Sequence, residues 1–246
     1  MSGHSKWSTI KRKKEAQDSK RGQQFTKLGN AIAIAARRGG GDPETNTELR
    51  MAIEQAKSVN MPNTNIERSI KRGTGELGGG PIEEVMYEGY GPAGVAVLVE
   101  CATDNRNRTS ADVRSAFSKQ GGNMAEPGAV AYQFERKGVI TVKADNQEAA
   151  MLEAIDAGAE DVIEDEGELA VYVAPSELNE IKETLNQNYK VKSAELSYEP
   201  KNTVVIETEE DAKKIMKLMD ALDALEDVSN TYSNFDITEE IATRIG

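Results

Sequence analysis

The sequence predicts an α+β multidomain fold, a basic helical domain followed by mixed α/β domains, and three observations predict it. Its 246 residues exceed the usual size of one domain. Near residue 80 the apolar period changes from helical spacing to alternating strands and helices. Charge changes at the same place: residues 1–73 carry 15 Lys+Arg against 7 Asp+Glu, a net of +8, and the remainder carries 15 against 35, a net of −20.

In the first segment Phe25, Leu28, Ile32 and Ala35 fall on one helical face, and Leu49, Ile53 and Ala56 repeat the pattern. Asp42 before Pro43 reads as an N-cap and first turn, and Thr64 with Glu67 has capping-box spacing. Gly39 to Gly41 and Gly73 read as helix stops. The stretch GTGELGGGP, Gly73 to Pro81, supports neither helix nor strand and reads as a hinge that lets the basic head reorient.

Beyond Pro81, Glu83 to Tyr90 and Val95 to Ala102 read as strands joined by the turn Gly91-Pro92-Ala93-Gly94. A helix capped near Thr109 follows, with Val113 and Phe117 inward. From Val130 to Tyr198 the order is strand (VAYQF with GVITV), a helix around Leu152 and Ile155, strand (DVIED), strand (ELAVYVA), a helix with Leu178, Ile181 and Leu185, and strand (KSAELSY). That is the split βαβ order of ferredoxin-like domains. After Pro200 come the strand NTVVIET, an amphipathic helix with Ile215, Leu218, Met219, Leu222 and Leu225, and a strand near Val228 to Phe235.

Elements this few cannot bury their apolar faces alone, so the segments flanking the middle section are expected to complete a second ferredoxin-like sheet together. The expected domains are residues 1–75, basic and helical; 82–129 with 201–240, discontinuous; and 130–200, inserted.

Several function classes find no support in the residues. One cysteine, Cys101, and one histidine, His4, cannot build a Cys/His zinc site, and Cys101 lies in the apolar run VAVLVECAT as a small buried hydrophobe. GTGELG satisfies G-x-G-x-x-G without the strand before it and helix after it that a dinucleotide loop needs, and there is no Walker sequence. Glu164-Asp165-Glu166 and Glu209-Glu210-Asp211 read as a solvated turn and a helix start rather than a magnesium site. No nucleophile with a base is apparent, so the chain is read as a non-enzyme without cofactor or metal. No run of about 18 apolar residues and no signal-peptide core occur, which implies a cytoplasmic protein with no membrane partner.

The head's cations are the candidate nucleic-acid-binding residues: Lys6, Lys11, Arg12, Lys13, Lys14, Lys20, Arg21, Lys27, Arg37, Arg38, Arg68, Lys71 and Arg72. Long basic side chains reach many phosphates, and the glycines after Arg38 permit close backbone approach. Trp7, inside the basic tract, reads either as a base-stacking platform or as a helix anchor.

GHSKWSTIKRKKEAQDSKRGQQFTKL, NMPNTNIERSIKRGTGE, YEGYGPAGVAVLVE and TDNRNRT together resemble the YebC family, also called YebC/PmpR transcriptional regulators, along the whole chain. The resemblance implies a helical domain plus two α+β domains, one inserted in the other. It also implies a DNA-binding transcriptional regulator, the alternative being a ribosome-associated translation factor, as for organellar relatives, that binds structured rRNA or tRNA. The acidic body would then face basic ribosomal or transcription proteins. Two loops are further candidates for contact: Asn105, Arg106, Asn107 and Arg108 form a polar contact loop or the cap of the next helix. Tyr87 and Tyr90 belong to a recognition turn or a tight hairpin.

Overall fold

Helical spacing in the first segment produces three helices in a computed structural model that describes residues 21–78, 80–165, 167–238, 240, 241 and 244. They are α1 (Arg21–Gly39), α2 (Thr47–Ser58) and α3 (Asn63–Thr74). Leu28, Ile32, Ala35 and Ala36 of α1 pack with Leu49, Ile53 and Ala56 of α2 and with Met61 and Ile66.

Several local signals act differently from the sequence expectation. The N-cap of α2 is Asn46, whose side chain accepts from the Leu49 amide, while Asp42 closes the turn before it by accepting from the Glu44 amide. α3 has Pro62 at its N-cap and no side-chain cap, so Thr64 and Glu67 form no capping box. Gly73 is not a stop: it lies inside α3, against the Ala33 carbonyl and 2.9 Å, from a notional Cβ, to the Ala36 side chain. Only a residue without a side chain lets α3 cross α1 this closely, and the stop is Gly75, with φ of 83°.

The next elements are β1 (Glu83–Tyr90), a 3-10 turn (Pro92–Gly94), β2 (Ala96–Thr103), α4 (Arg106–Lys119), β3 (Asn123–Ala125) and a second 3-10 turn (Ala131–Gln133). Then come β4 (Phe134–Lys143), α5 (Gln147–Asp156), β5 (Asp161–Asp165), β6 (Glu168–Val173), α6 (Leu178–Leu185) and β7 (Lys190–Pro200). The last are β8 (Val204–Ile206), α7 (Glu209–Asp223), β9 (Val228–Ser233) and β10 (Phe235–Ile237). Asn105, not Thr109, caps α4, and Thr109 is buried one turn into the helix.

The packing divides the chain into two compact units. One is Tyr132–Thr203, an antiparallel sheet in the order β5-β6-β4-β7. This is the order in which a split βαβ unit pairs its strands. Its core joins Ile140, Val142, Leu169, Val171 and Val173 of the sheet to Ala150 and Ala154 of α5 and to Leu178, Ile181 and Leu185 of α6.

The other unit combines the described residues up to Ala131 with those from Val204 onward. Its sheet runs β3-β1-β2-β9, antiparallel throughout. The expected second sheet differs from this one in two strands. The three-residue β3 supplies an edge that alternation cannot reveal, and β8 leaves the sheet to pair in parallel with β10.

Strand β2 is buried along both faces, from Ala96 to Val99 without exposure. Gly89 pairs with Val97, and the Phe117 ring of α4 lies on that side; on the other, Ala33 of α1 packs with Ile82 and Ala102. The unbroken apolar run of β2 is the sequence mark of such double cover. The same packing corrects the hinge reading, because α1 is seated on the sheet that follows the glycine-rich segment.

Candidate nucleic-acid interface

Lys6, Trp7, Lys11, Arg12, Lys13, Lys14 and Lys20 lie outside the described residues, and Arg21 stands at the first position of α1. The remaining candidates fall into two groups, according to whether the body supplies an acceptor.

The larger group is engaged within the unit. Lys27 lies 3.9 Å from Asp223. Arg37 donates to the Ile82 carbonyl, and Arg38 stands between Glu48, at 2.9 Å, and Glu84. Arg72 donates to the Asn30 side chain at 2.8 Å and lies 3.6 Å from Asp104. Asn30, itself buried, donates onward to the Glu226 carbonyl. Thus α1 and α3 are tied by polar contacts to β1, to the β2–α4 loop and to the α7–β9 loop.

The second group is small. Arg68 and Lys71, three residues apart on one side of α3, are exposed and form no ion pair among the described residues.

The contact loops are largely structural. Asn105 accepts from the Arg108 amide at 3.1 Å, Arg106 Nε donates to Glu83 at 2.6 Å, and Tyr87 donates to the Arg106 carbonyl at 3.2 Å. Tyr90 donates to the Ala129 carbonyl at 2.9 Å. Arg108 grips Asp227 through three contacts of 2.8, 3.1 and 3.3 Å and reaches Asp104 at 3.1 Å. Asp227 holds the Arg108 guanidinium charged and also accepts from the buried Thr109 at 2.7 Å. Asn107 alone of the four is exposed without such a role, on an α4 surface it shares with Ser110, Arg114 and Ser118.

Arg37, Arg38 and Arg106 also line a cleft of about 510 Å³ with Ile34, Ile82, Glu83 and Glu84. Its charges nearly balance, although each guanidinium keeps N–H donors beyond those it uses on the protein.

Asp104, Asp227, Glu84 and Asn30 are the partners that sequence reasoning missed. Asp104 stands four residues before Arg108, a local spacing, but no local signal marks the others: Asp227 meets Arg108 across 119 positions and Arg72 meets Asn30 across 42.

A nucleophile is not provided by Cys101: burial first, then Asp227 and Glu100, push its thiol up to about 12. Among the described residues, no group of three or more His, Cys, Asp or Glu side chains is placed to hold a metal ion, and no helix is long and apolar enough to cross a membrane.

Two family models match the chain. The TACO1/YebC protein N-terminal domain matches residues 5–76, and the TACO1/YebC second and third domain matches residues 82–235. A probable transcriptional regulatory protein of Persephonella marina is 53% identical over 249 residues, covering all of both chains. One from Halothermothrix orenii is 50% identical over all of this chain and 99% of its own. The crystal structure of a conserved hypothetical protein from Aquifex aeolicus superposes with a TM-score of 0.84 at 50% identity, covering 91% of this chain and 93% of that one.

Proposed function

Since the chain belongs to the TACO1/YebC family, we propose that it is a non-enzymatic, DNA-binding transcriptional regulator that grips the phosphate backbone with its basic head. The observation that carries this reading is the charge split, +8 over residues 1–73 against −20 over the rest. The names of the relatives, probable transcriptional regulatory proteins, support the same class.

Within the head, the phosphate contacts belong to the cations that the body does not engage. Arg68 and Lys71 are the described members of that set, and Lys11, Arg12, Lys13 and Lys14 join them by sequence. The acidic body faces away from the duplex, as repulsion requires. A second reading, a translation factor bound to structured rRNA or tRNA on the ribosome, is favoured by the acidic body itself, which would meet basic proteins there.

The test is the salt dependence of binding to a 30-base-pair duplex, followed by fluorescence anisotropy with the full chain. Each lost phosphate contact lowers the slope of log K against log salt by about 0.9. Replacing Lys11, Arg12, Lys13 and Lys14 by alanine, or Arg68 and Lys71, is expected to lower it. Unchanged slopes in both variants would refute the proposed surface. Cosedimentation of tagged chain with ribosomes, without copurifying DNA, would favour the second reading.

A further inference from the structure

Helix α5 of the Tyr132–Thr203 unit leaves two large aliphatic side chains outside its core. Ala150 and Ala154 are fully buried and Met151 packs against the same core, while two larger aliphatics point to solvent: Leu152 is 64% exposed and Ile155 52%. An amphipathic helix ordinarily buries its largest apolar side chains, and single exposed leucines are common enough to carry no meaning. Here two stand three residues apart, which makes them neighbours on one surface.

The setting of that pair is strongly acidic. Glu148 and Asp156, both exposed, flank Leu152 at four residues before and four after, in the same row along the helix. From residue 144 to residue 181 the chain has 12 Asp+Glu and no Lys or Arg. This stretch covers α5, the adjoining β5, which is an edge strand of its sheet, and β6.

From this we infer that the outer face of α5 is a docking surface for a lysine- or arginine-rich amphipathic helix of a partner protein. Leu152 and Ile155 take its apolar side chains, and the exposed Glu148 and Asp156 take its cations, since Glu160 and Glu168 are paired with Lys137 and Lys192. Charge complementarity selects this occupant over an α5-to-α5 contact with a second copy, which would bring two such carboxylate fields together. The inference stands apart from the nucleic-acid reading, because it uses no residue of the head.

The experiment titrates the full chain into two labelled 18-residue synthetic helices at about 0.15 M salt, where diffuse attraction is screened. One probe carries leucine at three- and four-residue spacing with lysine elsewhere; the control has the same lysines with alanine for leucine. The leucine probe is expected to bind at least tenfold more tightly than the control. The variant Leu152→Ser with Ile155→Ser is expected to lose at least tenfold for the leucine probe and to leave the control unchanged.

Both positions are solvent-facing, so the fold should persist, and a matching circular dichroism melt checks it. Glu148→Lys with Asp156→Lys supplies a second variant, expected to weaken both probes. Equal binding of the leucine probe by wild type and by both variants would overturn the inference. So would a concentration-dependent dimer, seen by sedimentation, that the serine variant abolishes, since a second copy would then be the occupant.

Discussion

Glu88 offers the most direct test of how the second unit is held together. This strand residue is only 6% exposed, yet it carries a carboxylate whose two oxygens are both engaged by backbone amides. Oε1 accepts from the Gly128 amide at 2.6 Å, and Oε2 accepts from the Val130 and Ala131 amides at 2.7 and 2.8 Å. Burial acts to raise its pKa, but the three backbone donors outweigh burial and lower it. In Glu88→Gln one oxygen becomes an NH2 group facing an N–H, so at least one buried amide loses its acceptor. With charge-assisted bonds worth about 1.5–3 kcal/mol and an unsatisfied buried group about 1–3 kcal/mol, the cost should be about 3 kcal/mol. At a urea m-value of about 2 kcal/mol/M, the unfolding midpoint falls by about 1.5 M.

The pH dependence follows from the direction of the shift. A carboxylate with a lowered folded pKa contributes stability above its ordinary range, and that contribution disappears as pH falls through the folded value. Glutamine does not titrate there, so the gap between wild type and variant should be widest above about pH 6 and shrink towards pH 3. Urea midpoints across that range, with hydrogen exchange at the Val130 and Ala131 amides, measure it. A midpoint shift under about 0.3 M, or a gap as wide at pH 3 as at pH 7, would refute the reasoning.

Gly73→Ala should lower the melting temperature and cost about 1–3 kcal/mol or more, because the new methyl meets the Ala33 carbonyl at the helix crossing; an unchanged melt would mean that the helices separate freely. Cys101, with its thiol near 12, should react with iodoacetamide at pH 8 at least about a thousandfold more slowly in the folded chain than in urea, as read by mass spectrometry; comparable rates would contradict its burial. Residues 130–200 expressed alone are expected to unfold in one cooperative transition, seen by circular dichroism, because the split βαβ core lies within them; a broad, non-cooperative melt would count against their autonomy.

The α+β character was legible where apolar residues repeat over long stretches. Leu28, Ile32, Leu49 and Ile53 mark two helices, and Ile215, Leu218, Met219 and Leu222 mark α7, all of them buried. Short elements were not legible, since three residues of β3 hold no period, and β8 could not be separated from a sheet strand by composition. Caps were mistaken where two residues competed: Asn105 and Thr109 both suit an N-cap, and burial against Thr103 and Asp227 is what draws Thr109 inside the helix. At the candidate site the sequence identifies the cations but not their acceptors. Whether an arginine is available to a phosphate depends on carboxylates tens to hundreds of positions away.

That dependence alters what a net charge of +8 on the head means. Arg38 stands against Glu48 and Glu84, Arg72 against Asp104, and Lys27 against Asp223, so much of the junction between head and sheet is close to neutral. Exposed pairs of this kind contribute about 0–1 kcal/mol each and are screened by salt. A phosphate that competes for Arg38 therefore displaces carboxylates at small cost, yet it gains less than it would from a solvated guanidinium, because one anion is exchanged for another. Arg68 and Lys71 lie outside this exchange. Counting basic residues overstates the phosphate contacts that the head can make, and the salt slope should be shallower than one contact per cation implies.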